Sequence, residues 1–215
     1  MNATETTRRQ RRKEARPAEL AAAALALFVE KGFAATRLDD VAARAGVSKG
    51  TLYLYFDSKE ALFRAVIEES LLPLIDAFEI KVEALGADPE RLLRELLVEW
   101  WERFGSTPLG GTCKLMISEA GNFPEVAAYF NDAVIGRWSA LLYRVIEAGM
   151  EQGVFRRGNP EALRQMVFYP LLMRSVWLHS IAGCVAGRAA PDTYFDTYFD
   201  VIFRGLLAAP SQENP

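Results

Sequence analysis

The chain has 215 residues, 51% of them apolar and 25% charged, with a formal net charge of −3. That balance suits a globular protein able to bury a core without disulfide or metal staples. Ten prolines and 15 glycines exclude collagen-like and Pro/Gly-rich disordered classes. The longest uncharged apolar stretches, 20–29 and 175–187, fall short of the ~20 residues a membrane helix needs, so no membrane partner is expected. Residues 1–16 are polar and charged rather than a secretory leader, and Cys113 and Cys184 match no zinc or redox spacing. The expectation is a reduced, cytoplasmic protein without metal or cofactor. Charge is unevenly divided: residues 1–60 carry a net +3 and the remainder −6. A basic head on an acidic body points to a polyanion at one end.

Arg8, Arg9, Arg11, Arg12, Lys13 and Arg16 crowd a stretch without apolar periodicity, expected to be a disordered arm over 1–16. Helical patterning starts at Pro17, with Leu20, Ala24, Leu27 and Phe28 on one face and Gly32 as the stop. Thr36-x-x-Asp39 has the form of a cap for a short second helix that buries Val41, Ala42 and Ala45 and ends at Gly46. Ser48 caps a third. Helix, tight glycine turn and helix make the helix-turn-helix arrangement. On the third helix Leu52 and Phe56 form the core face, while Gly50, Thr51 and Leu54 point away and Lys49 and Tyr53 flank. Lys49 can reach guanine O6/N7 or phosphate, Gly50 permits close backbone approach, Thr51 can meet a thymine methyl, and Tyr53 and Tyr55 can donate to phosphates. A plain surface helix with small polar residues is the alternative reading.

The run from Thr36 to Glu60, and above all V-S-K-G-T-L-Y-L-Y-F-D-S-K-E at 47–60, resembles the DNA-binding domain of the tetracycline-repressor (TetR) family over about residues 17–64. The resemblance implies an all-α protein of about nine helices. Its three-helix head, 17–64, would be followed by a ligand-binding and dimerisation body, 65–215. Carried over by position, Lys49, Gly50, Thr51 and Tyr53 would face bases or nearby backbone. Thr36, Ser48, Tyr55 and Lys59 would hold phosphates, and Arg37 joins the DNA-facing set. The family often has an aromatic residue where Leu54 stands and a histidine where Tyr55 stands. The implied partners are double-stranded operator DNA, a small-molecule effector and a second copy of the chain, and the implied role is that of a repressor.

Beyond residue 60 the sequence reads as helices. Asp57-x-x-Glu60 opens a long one reaching about Leu85 with Pro73 inside, and Asp88-Pro89 opens the next. Gly105–Gly111 reads as a loop before a short helix. Asn122-x-x-Glu125 with Pro124 opens another long helix, and Asn159-Pro160 one reaching about Gly183, apolar nearly all round from Met166 to Met173. A last helix runs from about Asp192 to Ala208. A helix apolar on every side must be buried on every side, so the last two helices are the expected dimer surface. Arg174, Val176, His179, Tyr194, Tyr198, Ile202 and Leu206 are its candidate residues. The segment 117–135, with Glu-Ala-Gly-Asn-Phe-Pro-Glu at 119–125, resembles the AefR-like C-terminal subgroup of the same family.

An apolar pocket between middle helices is expected, lined by Phe78, Trp101, Phe104, Met116, Trp138, Phe168 and Met173, with Glu119, Tyr143 and Tyr169 as polar contacts. The same aromatics could simply fill the core. His179 is the only histidine, and no phosphate loop, nucleophile elbow or zincin pair is present, so catalysis is not expected. Cys113, in Gly-Thr-Cys-Lys, reads as an inert small residue that a loop could expose. A DNA-architectural protein without effector stays open as the alternative to a ligand-responsive regulator.

Overall fold

The computed structural model describes residues 3–84, 88–181 and 191–208, with side chains over 15–84, 88–181 and 193–208. The basic side chains from Arg8 to Lys13, and Cys184, lie outside these. The α-helices are α1 Ala3–Lys31, α2 Leu38–Arg44, α3 Lys49–Tyr53, α4 Lys59–Val66, α5 Leu72–Ala84, α6 Pro89–Trp100, α7 Gly111–Glu119, α8 Pro124–Phe130, α9 Arg137–Glu151, α10 Pro160–Leu178 and α11 Pro191–Leu206. π-Helical turns over Ile67–Leu71, Trp101–Gly105 and Asn131–Gly136 continue α4 into α5, extend α6, and join α8 to α9. Joined this way, the described residues form nine helical rods. Their one extended pairing is an isolated bridge between Phe155 and Leu207.

The chain divides into two compact units. The first comprises Met1–Leu74 and Gly111–Ile135, the second Ile75–Gly110 and Gly136–Pro215. In the first, α1 packs along α4, and α2, α3 and α7 pack around them. Leu20, Leu27 and Phe28 of α1 are buried as their spacing requires. Phe28, Phe33 and Phe63 meet ring to ring at 5.1–5.9 Å, with edge contacts that suit the aromatic quadrupole. Gly32 ends α1 at φ +86°, a left-handed geometry that a side chain would strain.

Local signals are met unevenly. Ser48 accepts from the Thr51 N–H, Asp88 from Arg91 and Asn159 from Ala162, each capping its helix as expected. Thr36 does not cap α2: Arg37 stands at the N-cap without a side-chain bond, and the buried Thr36 hydroxyl donates to the Gly32 carbonyl at 2.8 Å. The cap of α4 is Ser58 rather than Asp57, and α8 starts after Phe123 with no side-chain cap. The α1 helix continues back to Ala3 through Pro17, where a disordered arm was expected. Residues 3–16 contain no Gly or Pro, and five arginines with Lys13, Gln10, two glutamates and two alanines make most of the segment favourable to helix.

Pro73 is the second residue of α5, near the middle of a rod that stays helical. The π-helical turn directly before it rearranges the bonding that a proline, lacking an N–H, cannot continue. Val126, Phe130, Val134 and Trp138 recur every four residues and all are buried. A spacing of four overshoots the ~3.6-residue turn of an α-helix, and the wider turn at Asn131–Gly136 absorbs the excess.

The second unit is built on aromatic packing. Trp100, Trp138 and Phe168 are in mutual contact, with centroids 4.9–6.3 Å apart. Phe78 packs on Trp138, and Phe104 on Trp100. Arg137 grips Glu79 with two nitrogens, at 2.8 and 2.5 Å, and reaches Asp76 at 2.6 Å. The expectation that α10 is covered on every side is not met within one chain. Val167, Phe168, Leu171 and Ser175 are buried, while Met166, Tyr169, Met173 and Trp177 are 50–68% exposed along the opposite side. Pro170, inside the helix, lies on this exposed side, where water can meet the carbonyl its missing N–H leaves over.

Cys113 sits within α7, buried, and not on an exposed loop. Burial pushes its thiol from about 9 up to about 12. The raised value makes the buried thiol's contribution to stability complete below about pH 9 and progressively lost toward pH 12. Cys113 should therefore resist iodoacetamide at about pH 8 in the native protein and react after denaturation, as peptide mapping would show. Rapid native alkylation at Cys113 would contradict the burial.

Candidate nucleic-acid interface

The short α3 presents its N-terminal turn to solvent. Leu52 is fully buried and anchors it, while Lys49 and Gly50 are exposed, Tyr53 is 46% exposed and Leu54 83%. The Ser48 hydroxyl holds both the Thr51 N–H and the Thr51 hydroxyl, so the turn is ordered before any partner arrives. A Cβ built on Gly50 would meet nothing closer than the Ser48 hydroxyl at 4.0 Å, so this backbone is open to close approach. Tyr55 is partly buried one turn further on.

Lys49 is not idle in the free protein. Its ammonium bonds Asp39 of α2 at 2.8 Å and lies 5.8 Å from the centre of the Tyr53 ring. The hydrogen bond to Asp39, and then the attraction of the two charges, holds the Lys49 ammonium above its ordinary pKa. Both side chains are more than half exposed, so salt screens the pair and a phosphate can displace the carboxylate.

Beside this turn lies a surface depression of about 360 Å³, lined by Ala34, Thr36, Arg37, Leu38, Asp39, Tyr53 and Lys59. It gathers four of the residues expected to face DNA. Two of them sit differently from expectation. Thr36 is 1% exposed with its hydroxyl spent on Gly32, which leaves it shaping the floor rather than meeting a phosphate. The Lys59 ammonium donates to the Phe33 and Ala34 carbonyls at 2.8 and 3.0 Å, bridging two carbonyls of the loop after α1. Carbonyls do not neutralise it, so its charge still contributes to the depression. Arg37 is exposed at the rim. A cation-rimmed depression next to an exposed helix turn is suited to an anionic backbone.

The other candidates divide between the units. Met116 and Glu119 belong to the first unit: Met116 is buried in α7, and Glu119 accepts the Ala34 N–H at 3.3 Å. Phe78, Trp101, Phe104, Trp138 and Phe168 are buried in the second. Trp101 packs on Phe195 at 5.6 Å, apart from the Trp100 cluster's ring contacts. Tyr143 is half-buried and donates to Glu147, while Tyr169 and Met173 stand on the outer side of α10, so these three do not line an aromatic interior. Among the described residues the buried Trp138 indole N–H meets no acceptor.

Of the dimer candidates, Tyr198 and Leu206 are buried within their own chain, the Tyr198 hydroxyl donating to the Val167 carbonyl. His179 Nε2 lies 3.2 Å from the Gly105 carbonyl, and Ser175 donates to the same oxygen at 2.7 Å. Arg174 stacks 3.9 Å over Tyr194 and 5.4 Å from Trp101. Val176, Tyr194 and Ile202 are half-buried. Periodicity alone did not separate these from the exposed Met166, Tyr169, Met173 and Trp177, because both sides of α10 are apolar.

A capped, solvent-facing recognition turn on a three-helix head, carried by an all-α chain, defines a helix-turn-helix DNA-binding protein. Comparison with known proteins specifies it further. Residues 20–66 match the family model of bacterial regulatory proteins of the tetR family, and 91–187 that of the AefR-like transcriptional repressor C-terminal domain. The chain is 31% identical over 157 residues to the HTH-type transcriptional regulator EthR of Mycolicibacterium smegmatis, covering 70% of this chain and 71% of that one. It is 31% identical over 134 residues to the HTH-type transcriptional repressor NicS of Pseudomonas putida, covering 62% and 63%. The TetR-family regulator PfmR of Thermus thermophilus superposes with a TM-score of 0.69 at 28% identity, over 86% of this chain and 97% of that one. The chain belongs to the tetR family of bacterial regulatory proteins and is a transcriptional regulator. Among the described residues no helix is long and apolar enough to cross a membrane.

The Lys49–Asp39 pair generates a direct test. Asp39→Asn frees the ammonium and removes a carboxylate from the depression. Affinity for random duplex DNA at low salt should rise about two- to fivefold, read by fluorescence anisotropy. Unchanged or weaker binding would place Lys49 outside the interface.

Proposed function

We infer that the protein is a homodimeric repressor that binds a pseudo-palindromic operator with one head per half-site and is released by a small, largely apolar effector. The observation that carries the reading is the exposed, Ser48-capped turn of Lys49, Gly50, Thr51 and Tyr53. Its side chains can read base edges while Arg37, Tyr55 and Lys59 supply donors to the backbone. One such head has little area for specificity, and two related by a two-fold axis match inverted half-sites.

The outer side of α10 supports the second copy. Met166, Tyr169, Met173 and Trp177 form an exposed apolar stripe of a kind that marks association surfaces. Half-buried Arg174, Val176, Tyr194 and Ile202 would flank it, whereas Tyr198 and Leu206 would support it from within. The effector reading is favoured by the aromatic interior of the second unit and by the Trp138 N–H, which a ligand bearing a hydrogen-bond acceptor would satisfy. Such a ligand lowers operator affinity only as far as it prefers the non-binding arrangement, with a usual coupling of ~1–3 kcal/mol.

Selection from a random duplex pool should yield an inverted repeat. On it, Lys49→Ala or Tyr53→Ala should each cost ~1–3 kcal/mol. An unselective pool, or unchanged affinity in both variants, would remove α3 as the reading element. For the dimer, Met173→Glu should give a monomer by sedimentation and lose operator binding. An intact dimer would move the interface off this side of α10.

A further inference from the structure

The Glu119–Phe123 turn between α7 and α8 meets the head at the place where α2 takes its direction. Glu119 receives the Ala34 N–H with one carboxylate oxygen, and Asn122 donates to the other at 3.3 Å, holding the carboxylate within its own turn. The Phe123 ring packs edge-on against Phe33 with centroids 4.7 Å apart. Lys59 bonds the Phe33 and Ala34 carbonyls, lies 4.9 Å over the Phe33 ring and 5.9 Å from that of Phe123. One short loop, 32–36, is thus held from two directions, by α4 through Lys59 and by the α7–α8 turn through Glu119 and Phe123. The loop in turn sets α2, because Thr36 is pinned inside it by the Gly32 carbonyl and α2 begins two residues later.

Further contacts make this a joint rather than a touch. A Cβ on Gly111, at the start of α7, would fall 2.5 Å from a Val29 methyl, so α7 lies hard against α1. Phe130 of α8 packs on Phe63 of α4, Arg64 stacks 4.1 Å over Tyr129, and the Tyr129 hydroxyl reaches Glu68 at 3.1 Å. The head is therefore continuous with α7 and α8, although some fifty residues of sequence separate them.

We propose that the Glu119–Phe123 turn is a clamp that positions the α1–α2 loop, and through it the recognition turn, so that α7 and α8 act as part of the DNA-reading body. This rests on the reading of α3 as the element that meets the operator. Glu119 and Phe123 are positioning residues that touch no DNA. A displacement of α7 is delivered to the loop directly, in addition to anything carried along the α4–α5 rod.

The test uses the full-length protein and follows backbone amide exchange together with binding to a duplex selected from a random pool. Phe123→Ala and Glu119→Leu should each raise exchange at residues 33–38 and in α2 at least tenfold, leaving α9 and α10 at wild-type protection. Operator affinity should fall at least threefold. Tyr129→Phe, which loosens the neighbouring seam to α4, should leave residues 33–38 unchanged. Wild-type exchange at 33–38 in both clamp variants would overturn the proposal. If Phe123→Ala loosens the whole chain uniformly, Glu119→Leu decides, since it nearly keeps the size of the side chain and removes both acceptor oxygens: a local rise supports the clamp and no rise ends it. Failure to select any duplex would count against the operator reading, while the exchange result would still decide the clamp.

Discussion

At Gly32 the first helix stops, and in the loop that follows it the carbonyls of Phe33 and Ala34 both face the ammonium of Lys59, which donates to each. The rest of the head depends on that bond. It fixes the loop of six residues, 32–37, between α1 and α2, places Phe33 between Phe28 and Phe63, and orients α2 with the recognition turn behind it. A cation shared between two main-chain carbonyls makes charge-assisted hydrogen bonds, which are stronger than neutral ones. Here it also leaves one ammonium proton and an unneutralised charge beside the depression where an anion would sit.

The second unit reaches order by another route. Its interior is aromatic, and its surface is laced by ion pairs such as Arg137 with Glu79 and Asp76, and Lys81 with Glu95 and Glu99. Most of these side chains are only 27–35% exposed, so the pairs clip neighbouring helices together at the margin of the aromatic interior. The Trp138 N–H is an exception within that interior. A buried donor without an acceptor among the described residues carries a desolvation cost.

Irregular helix recurs at particular places. The chain passes between its two units after Leu74, Gly110 and Ile135. A π-helical turn with Pro73 lies at the first passage, a 3₁₀ turn and paired glycines at the second, and a π-helical turn at the third.

The all-α class, the recognition turn and most helix starts were legible in the sequence, because they are local. Ser48, Asp88 and Asn159 cap N–H groups three residues away, and Gly32 needs only its own φ. The motif at 47–60 likewise reads from adjacent residues. Pairings across the fold were not legible in this way. Lys59 reads as a phosphate ligand until Phe33 and Ala34 turn their carbonyls toward it, and Thr36 reads as a cap until Gly32 takes its hydroxyl. Tyr169 and Met173 read as pocket lining because α10 is apolar on both sides, and only the packing of Val167, Phe168 and Leu171 decided which side faces inward. The docking of residues 119–123 on a loop some eighty-five positions earlier left no periodic trace. A cap or a glycine stop is settled by the geometry of one turn, whereas the partner of a long side chain and the buried side of a two-faced helix are settled by whichever distant surface arrives against it.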